Sequence, residues 1–409
     1  MDEELKKAEE LYLTGQIDKS LPIFEKLAQD GNGRAMYFLG EIYGNGYGTT
    51  KQDFKKATFW RKEGRKKGDI FATLNCAYPT NTKKVNQSLC KKCHKDILMK
   101  ALEGDVFAQN EVSDQFLYGF GVEKDVEYGL YWLKQAAKRG FWRPIFKLGE
   151  MYMSGEMIEK DEKKGLEYLN RALEMNIKEA KATLGIYYLN KADQEENLHK
   201  GVEFINEAIA DGDIGLSYIK GFLCINGYID DPDGTKAFKY MKISADSGNV
   251  FGIKYLGDCY ESGIGTKINP EKAFKLHKKA ATLGHPDAMY KTAECLQSGQ
   301  GCEKNIQEAI NWYKKAYENH TPAAAYSLGM IYYTGEEIME NMETAIKWFM
   351  KSAEQGYVPA MYYLGLCFAR GAGVEKDKDA ALFWLYKAYL GGEHEAIKSI
   401  QEYLGINIQ

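Results

Sequence analysis

One short sequence pattern recurs along almost the whole chain. AMYFLGEIYGNGYG from Ala35, GIKYLGDCYESGIG from Gly252 and AMYYLGLCFARGAG from Ala360 are copies of it. A second pattern follows each copy, and its leading small residue returns every 36 residues after a single first step of 37. A chain with a repeat of this length folds as a stack of supersecondary units rather than as one layered domain. The small residue lies at Ser20, Ala57, Cys93, Gly129, Gly165, Gly201, Ala237, Ala273, Ala309, Ala345 and Ala381.

The residue pattern of each unit predicts two helices. In the first pattern, apolar or small residues lie at positions i, i+4, i+5 and i+8, counted from residues such as Ala35, which is the spacing of one helical face. The second pattern has an aromatic residue three positions after its small residue in most units, and eleven positions after it lies Gly, or Asn176 or His320. Gly or Asn at that point is typical of a left-handed helix C-cap. Glycines inside the first helix, such as Gly257, indicate the close approach of a neighbouring helix.

Composition narrows the possible function classes. The 409 residues carry 54 Lys and Arg against 58 Asp and Glu, a formal net charge of -4. This balance offers no broad basic surface for nucleic acid. The acidic start at Met1 is followed by no apolar stretch of signal-peptide length, and no segment reaches the roughly 18 apolar residues that span a bilayer. We therefore expect a cytoplasmic protein that has no membrane span and binds no nucleic acid.

A cysteine cluster leaves a metal or redox site open as an alternative. Cys90, Cys93 and His94 have the spacing of a haem c attachment site, and with Cys76 they provide three thiols and an imidazole that suit zinc. Haem attachment requires export, which the start of the chain does not indicate. Cys93 also occupies the small-residue position of its unit, so a buried thiol in the repeat core already accounts for it, and we favour that interpretation.

The sequence carries no pattern typical of an active site. The six histidines are scattered over different units without metal-ligand spacing, and no serine or cysteine lies in a recognisable nucleophile turn. We therefore expect a protein that is not an enzyme and needs no cofactor.

The full pattern, AxxxLGxxYxxGxGVxxDxxKAxxWxxKAAxxG, resembles the Sel1-like repeat, a relative of the tetratricopeptide repeat. Residues 35–68 and 360–392 are closest to it, and the resemblance extends over essentially the whole chain. It implies an all-α, right-handed superhelical α-solenoid of ten to eleven antiparallel helix pairs. Members of the family are mostly adaptors that hold other proteins together, and they share no catalytic residues that could be transferred to this chain.

We expect a single solenoid, residues 1–409, with three parts. Residues 1–34 form a shorter N-terminal hairpin closer to the tetratricopeptide form, 35–392 carry the repeats, and 393–409 hold a C-terminal capping helix. The unit at 72–107 is irregular, because it lacks the Gly-rich turn and has Pro79 where its first helix should end.

The residues that the packing pattern leaves free are the candidate partner site. In the first helix of a unit, positions i+2, i+6 and i+9 point away from the packed face, and the resemblance implies that they line a concave groove. Aromatic and acidic residues recur there, which suits a protein or peptide partner with basic residues and an apolar anchor. Alternatively, the glutamates only favour helix and the tyrosines rest on the next unit. The candidates are Tyr37, Glu41, Phe146, Glu150, Asp258, Tyr290, Glu294, Tyr326, Met330, Tyr333, Tyr362 and Leu366. The sequence indicates no oligomeric state.

Overall fold

The chain folds into paired α-helices. The computed structural model describes residues 2–78, 84–192, 194–229, 234–335 and 339–406, and these ranges contain helices and turns but no strand. The helices form two compact units, Met1–Asp213 and Ile214–Gln409. None of the described helices is both long enough and apolar enough to cross a bilayer.

The described part of unit 1 contains six helix pairs, and within each pair the two helices pack on one another. Their bounds are α1 Asp2–Leu13, α2 Ile17–Gln29, α3 Gly33–Asn45, α4 Phe54–Lys66, α5 Ile70–Asn75, α6 Gln87–Leu102, α7 Val106–Tyr118, α8 Val126–Lys138, α9 Trp142–Ser154, α10 Glu162–Glu174, α11 Lys178–Leu189 and α12 Glu195–Ala210.

Unit 2 contains five further pairs and a last single helix in its described residues. It begins with a 3-10 helix, Ile214–Leu216, that leads into α13. The α-helices are α13 Ser217–Ile225, α14 Thr235–Asp246, α15 Val250–Ser262, α16 Pro270–Thr282, α17 Pro286–Ser298, α18 Ile306–Glu318, α19 Pro322–Thr334, α20 Met342–Glu354, α21 Val358–Arg370, α22 Lys378–Leu390 and α23 Glu395–Leu404. The prediction of an all-α solenoid of ten to eleven helix pairs and a C-terminal helix is confirmed.

Local signals set the ends of the helices. The second helix of a pair often starts at an Asp or Asn whose side chain accepts backbone N–H bonds, as Asn305 does from Glu308. The predicted left-handed residue follows each second helix: φ is positive at all nine glycines of that row and at Asn176 and His320. Asn176 and His320 therefore adopt the same left-handed cap conformation as the glycines, and the 36-residue length of their repeats is preserved.

Glycines allow the two helices of a pair to touch. A Cβ added at Gly365 of α21 would lie 2.7 Å from Leu385 Cγ and 3.0 Å from its backbone nitrogen on α22. The same contact recurs through the chain. In each case the glycine at position i+5 of the first helix faces a residue of the second helix that lies four positions after that helix's small residue. The pairs are Gly40 with Arg61, Gly149 with Leu169, Gly185 with Ile205, Gly257 with His277, Gly329 with Phe349 and Gly365 with Leu385. The expected close approach at these glycines is confirmed.

The N-terminal hairpin of unit 1 packs against several repeats. The ring of Tyr12 on α1 lies 4.9 Å from Phe38 of α3, 6.0 Å from Phe107 of α7 and 6.2 Å from Phe141, which precedes α9. Nearby, Arg34 forms ion pairs with Glu9 of α1 and with a residue at the start of α7. Helix α1 therefore contacts residues of three different repeats.

The irregular unit has a first helix of only six residues, Ile70–Asn75, and a second helix of sixteen, Gln87–Leu102. Pro79 lies outside the described residues. The prediction that the whole chain forms one solenoid, with boundaries at 34 and 392, stays a prediction.

Candidate functional site

Two of the predicted groove residues, Tyr37 and Glu41, lie inside unit 1. Tyr37 is 3% exposed, and its hydroxyl donates a hydrogen bond of 3.1 Å to Glu111 Oε1. Glu41 is 5% exposed, and its carboxylate accepts bonds from Arg143 Nη1 at 2.6 Å and from Asn75 Nδ2 at 2.9 Å. Both residues bind other parts of this chain, so the groove expected at their positions is filled.

Glu111 is a buried carboxyl group that the sequence pattern did not single out. Burial, together with the negative charge of Glu41, raises the pKa of Glu111 to about 8. A signal was present in the sequence, because α7 carries a run of three consecutive polar residues from Gln109 to Glu111, and all three side chains are buried. Tyr37, Glu41, Asn75, Glu111 and Arg143 together form a polar core whose members come from four repeats.

Phe146 and Glu150 come together at an open pocket of about 320 Å³ on α9. Tyr47, Tyr118 and Trp142 provide three further aromatic rings of its lining. A second pocket of about 670 Å³ shares Glu150, Ser154 and Glu156 with the first and continues along α11. We call this surface the α9 groove, defined by Tyr47, Tyr118, Trp142, Phe146, Glu150, Glu156 and Glu179.

The charges of the α9 groove leave an acidic rim. The basic residues in the lining are already paired: Lys147 with Asp114, Arg143 with Glu41, and both Lys160 and Lys191 with Glu162. Two of these cations also lie over an aromatic ring, Lys147 at 4.6 Å from the centre of Tyr118 and Arg143 at 5.5 Å from that of Tyr47. Among the described residues no ion pair is made by the three remaining carboxylates, which are Glu150, Glu156 and Glu179.

In unit 2, the tyrosines predicted to line the groove contact the next repeat. Tyr290 Oη lies 3.4 Å from Ser327 Oγ, and Tyr362 Oη lies 3.2 Å from Ser399 Oγ, each one helix pair further along. The ring of Tyr326 lies 5.8 Å from that of Tyr363. These contacts agree with the packing alternative, although the three tyrosines keep part of their surface exposed.

The acidic residues predicted in unit 2 have partners in this chain. Asp258 is paired with Lys254 at 2.8 Å, and Glu294 with Lys291 at 3.4 Å. Glu294 also lines an open pocket of about 570 Å³ between α15, α17 and α19.

The apolar candidates near the C-terminus differ in exposure. Tyr326, Met330 and Tyr333 are half-buried, while Leu366 is buried in the core. Tyr326, Met330 and Tyr333 form a partly accessible patch, which we call the unit 2 aromatic patch.

The cysteine cluster contains two buried thiols and one half-buried thiol. Cys90 and Cys93 are buried and Cys76 is half-buried, and none of the three is in a disulfide. Burial raises the pKa of Cys90 to about 11, so its reactive thiolate form is rare at neutral pH. His94 Nδ1 lies 2.8 Å from the side-chain oxygen of Gln115.

A different group of possible metal ligands lies in unit 2. Among the described residues, Asp258, Glu261 and His277 are the one set of three or more acidic, His or Cys side chains whose ligand atoms lie within 4.8 Å of one another. Burial is the main cause of a lowered pKa at His277, against the opposing effect of Asp258 and Glu261. Sequence reasoning missed this set because its members lie on two helices, although His277 occupies a position that is apolar in most other repeats.

Comparison with known proteins agrees with this architecture. The Sel1 repeat model matches residues 33–69, 106–141, 145–177, 221–249, 252–285, 286–320, 322–357 and 358–393. No curated protein sequence matches the chain significantly.

Two solved structures share the fold. One is a protective antigen of uropathogenic Escherichia coli strains displaying an SLR fold, with 26% identity over 95% of this chain and 84% of the other, at a TM-score of 0.53. The other is a Sel1 repeat protein from Oxalobacter formigenes, with 25% identity over 79% of this chain and 95% of the other, also at 0.53. Since eight matched repeats cover well over half of the residues, the chain belongs to the Sel1 repeat family.

Proposed function

We propose that this protein is a non-enzymatic interaction scaffold that binds an extended segment of a partner protein in the α9 groove. The Sel1 repeat fold is typically a protein-interaction scaffold and is generally non-catalytic. The observation that supports this site is the combination, around one open pocket, of four aromatic rings with carboxylates that have no basic partner. Aromatic side chains give a large contact area at a small cost in rotamer entropy, and they dominate binding hot spots.

The chemistry of the groove favours a basic residue in the bound segment. A Lys or Arg side chain can lay its aliphatic stem along an aromatic ring and place its charge near Glu150 or Glu179. Lys147 and Arg143 already adopt this arrangement over Tyr118 and Tyr47. The occupant that we propose is therefore an extended peptide with at least one Lys or Arg beside an apolar residue.

The unit 2 aromatic patch is a second surface in this proposal. Its three residues, Tyr326, Met330 and Tyr333, keep part of their surface accessible, and they suit an apolar side chain of a partner. We also propose a reducing, cytoplasmic location, because buried cysteines such as Cys259 and Cys367 are unlinked thiols.

Selection of a random peptide display library on the full chain tests the α9 groove. We expect the enriched peptides to carry Lys or Arg next to an apolar residue. In fluorescence anisotropy, Glu150→Lys should weaken binding of such a peptide at least about tenfold, which is about 1.4 kcal/mol. Phe146→Ala should have a similar effect, because it removes one wall of the pocket.

Two matched variants serve as controls. Glu167 is exposed on α10 and Phe59 is exposed on α4, so Glu167→Lys and Phe59→Ala repeat the same changes outside the groove and should leave the affinity unchanged. Peptide binding that persists in both Glu150→Lys and Phe146→Ala contradicts the groove assignment.

A further inference from the structure

His277 is a polar residue at a core position. It lies on α16, where the equivalent residues of other repeats include Met241, Phe349 and Leu385. Its imidazole is fully buried, and it fits because residue 257 on α15 is glycine: a Cβ there would lie 2.7 Å from the ring. Neither ring nitrogen has a hydrogen-bond partner. Burying an imidazole whose nitrogens have no hydrogen-bond partner costs free energy of folding. A ligand bound to one of these nitrogens would offset that cost.

Two carboxylates of α15 face this ring. Asp258 and Glu261 are three residues apart and therefore lie on the same face of the helix. Nε2 of His277 is 3.7 Å from Asp258 Oδ1 and 3.5 Å from Glu261 Oε2. These distances are too long for good hydrogen bonds. They are close to the roughly 3.3–3.5 Å between two donors that each lie about 2.0–2.2 Å from a tetrahedral zinc ion.

The other oxygen of each carboxylate is held by a lysine. Lys254 Nζ lies 2.8 Å from Asp258 Oδ2, and Lys291 Nζ lies 3.3 Å from Glu261 Oε1. The oxygens that face His277 are therefore not the ones that the lysines bind. Supporting contacts of this kind orient carboxylate ligands in metal sites.

From this arrangement we propose that Asp258, Glu261 and His277 form a binding site for one divalent transition-metal ion of the zinc class. One imidazole nitrogen and two carboxylate oxygens suit Zn²⁺ and its neighbours better than Ca²⁺ or Mg²⁺, which prefer oxygen ligands alone. The inference does not depend on the α9 groove, which is in unit 1.

The site can be reached from solvent. Asp258 and Glu261 are about a quarter exposed, and Glu261 lines the 570 Å³ pocket of unit 2 together with Lys291 and Glu294. A metal ion bound to three protein ligands at this edge has a fourth position for water or for a partner's side chain. The two lysine charges oppose a cation, so we expect moderate rather than very tight affinity.

Titration of the full, chelator-treated chain with Zn²⁺ in competition with a chromogenic chelator tests the site. We expect one ion per chain and a rise in Tm when Zn²⁺ is added. His277→Leu should weaken binding at least tenfold while keeping the fold, because Leu385 occupies the equivalent position. Asp258→Asn provides a second variant of nearly unchanged shape and should also weaken binding at least tenfold.

Cysteines and exposed histidines are the competing ligands. Co²⁺ bound at the proposed site should show ligand-field bands without the near-ultraviolet absorption of a thiolate ligand. His199→Ala removes an exposed histidine on α12 and should leave the affinity unchanged. The proposal is overturned by the absence of stoichiometric binding, by a thiolate band, or by equal affinity in wild type, His277→Leu and Asp258→Asn.

Discussion

At the residue scale, Glu111 shows how position changes the chemistry of an ordinary side chain. It lies in α7 between Tyr37, which donates a hydrogen bond to it, and the charge of Glu41. Arg143 is bound to Glu41 and only partly offsets that charge. The carboxyl group is therefore more easily protonated in the folded chain than in the unfolded one.

Glu111→Gln is expected to remove part of the pH dependence of folding. Because the folded-state pKa of about 8 lies above the ordinary 4.5, the folded chain binds the proton more tightly. The stabilisation is complete below about pH 4.5 and is lost as the pH rises towards 8, by at most about 1.4 kcal/mol per pH unit.

Urea unfolding of wild type and Glu111→Gln at pH 5, 6, 7 and 8 measures this effect. The wild-type midpoint should fall relative to the variant over that range, while the exposed control Glu167→Gln should follow the wild type. Parallel curves for wild type and Glu111→Gln would show that Glu111 titrates normally.

At the element scale, the contact between the two helices of a pair depends on a residue without a side chain. The glycine at i+5 in the first helix allows the second helix to place a large side chain against its backbone, as Leu385 does against Gly365. Gly in a helix interior costs about 1 kcal/mol relative to Ala. The close approach of the two helices offsets that cost.

Gly365→Ala should destabilise the chain by about 1–3 kcal/mol, although Ala is the better helix former. The new Cβ would meet Leu385 at 2.7 Å and the backbone nitrogen of the same residue at 3.0 Å. Urea unfolding measures the loss. In the background Leu385→Ala, the same glycine substitution should cost at least about 1 kcal/mol less, and equal costs in both backgrounds would exclude this contact as the cause.

At the scale of the whole molecule, the two units differ in how far their contacts reach. In unit 2, each helix pair packs mainly against the next pair along the chain. The free energy of folding of unit 2 should therefore be close to a sum of terms for single pairs and for contacts between neighbouring pairs. In unit 1, the ring of Tyr12 on α1 contacts Phe38 of α3, Phe107 of α7 and Phe141 at the start of α9. These three rings belong to three different repeats.

Hydrogen exchange should distinguish the two kinds of packing. Tyr12→Ala is expected to raise amide exchange in α3, α7 and α9 together, because all three lose a contact with one ring. Phe349→Ala in α20 should raise exchange mainly in α19, α20 and α21. A response to Tyr12→Ala that stays within α1 and α2 would contradict the proposed role of Tyr12.

The regular repeats follow from the sequence because the determinants are local. Caps such as Asn305, left-handed ends such as Gly248 and helical spacing within 36 residues act over one or two turns. The groove residues were less predictable, since Phe146 and Glu150 line a pocket whereas Tyr37 and Glu41, at the same repeat positions, are buried.

The amino-acid sequence by itself determined the helix pairs, their number and their order, because spacing and capping need only neighbours along the chain. The tertiary structure alone decided which of the equivalent residues in different repeats line a pocket and which are buried against other parts of the chain. Glu41 meets Arg143, 102 residues away, and His277 meets Asp258 on another helix. The first contact depends on how separate repeats pack on one another, and the second on how the two helices of one repeat meet. Neither follows from the spacing and capping signals within one helix.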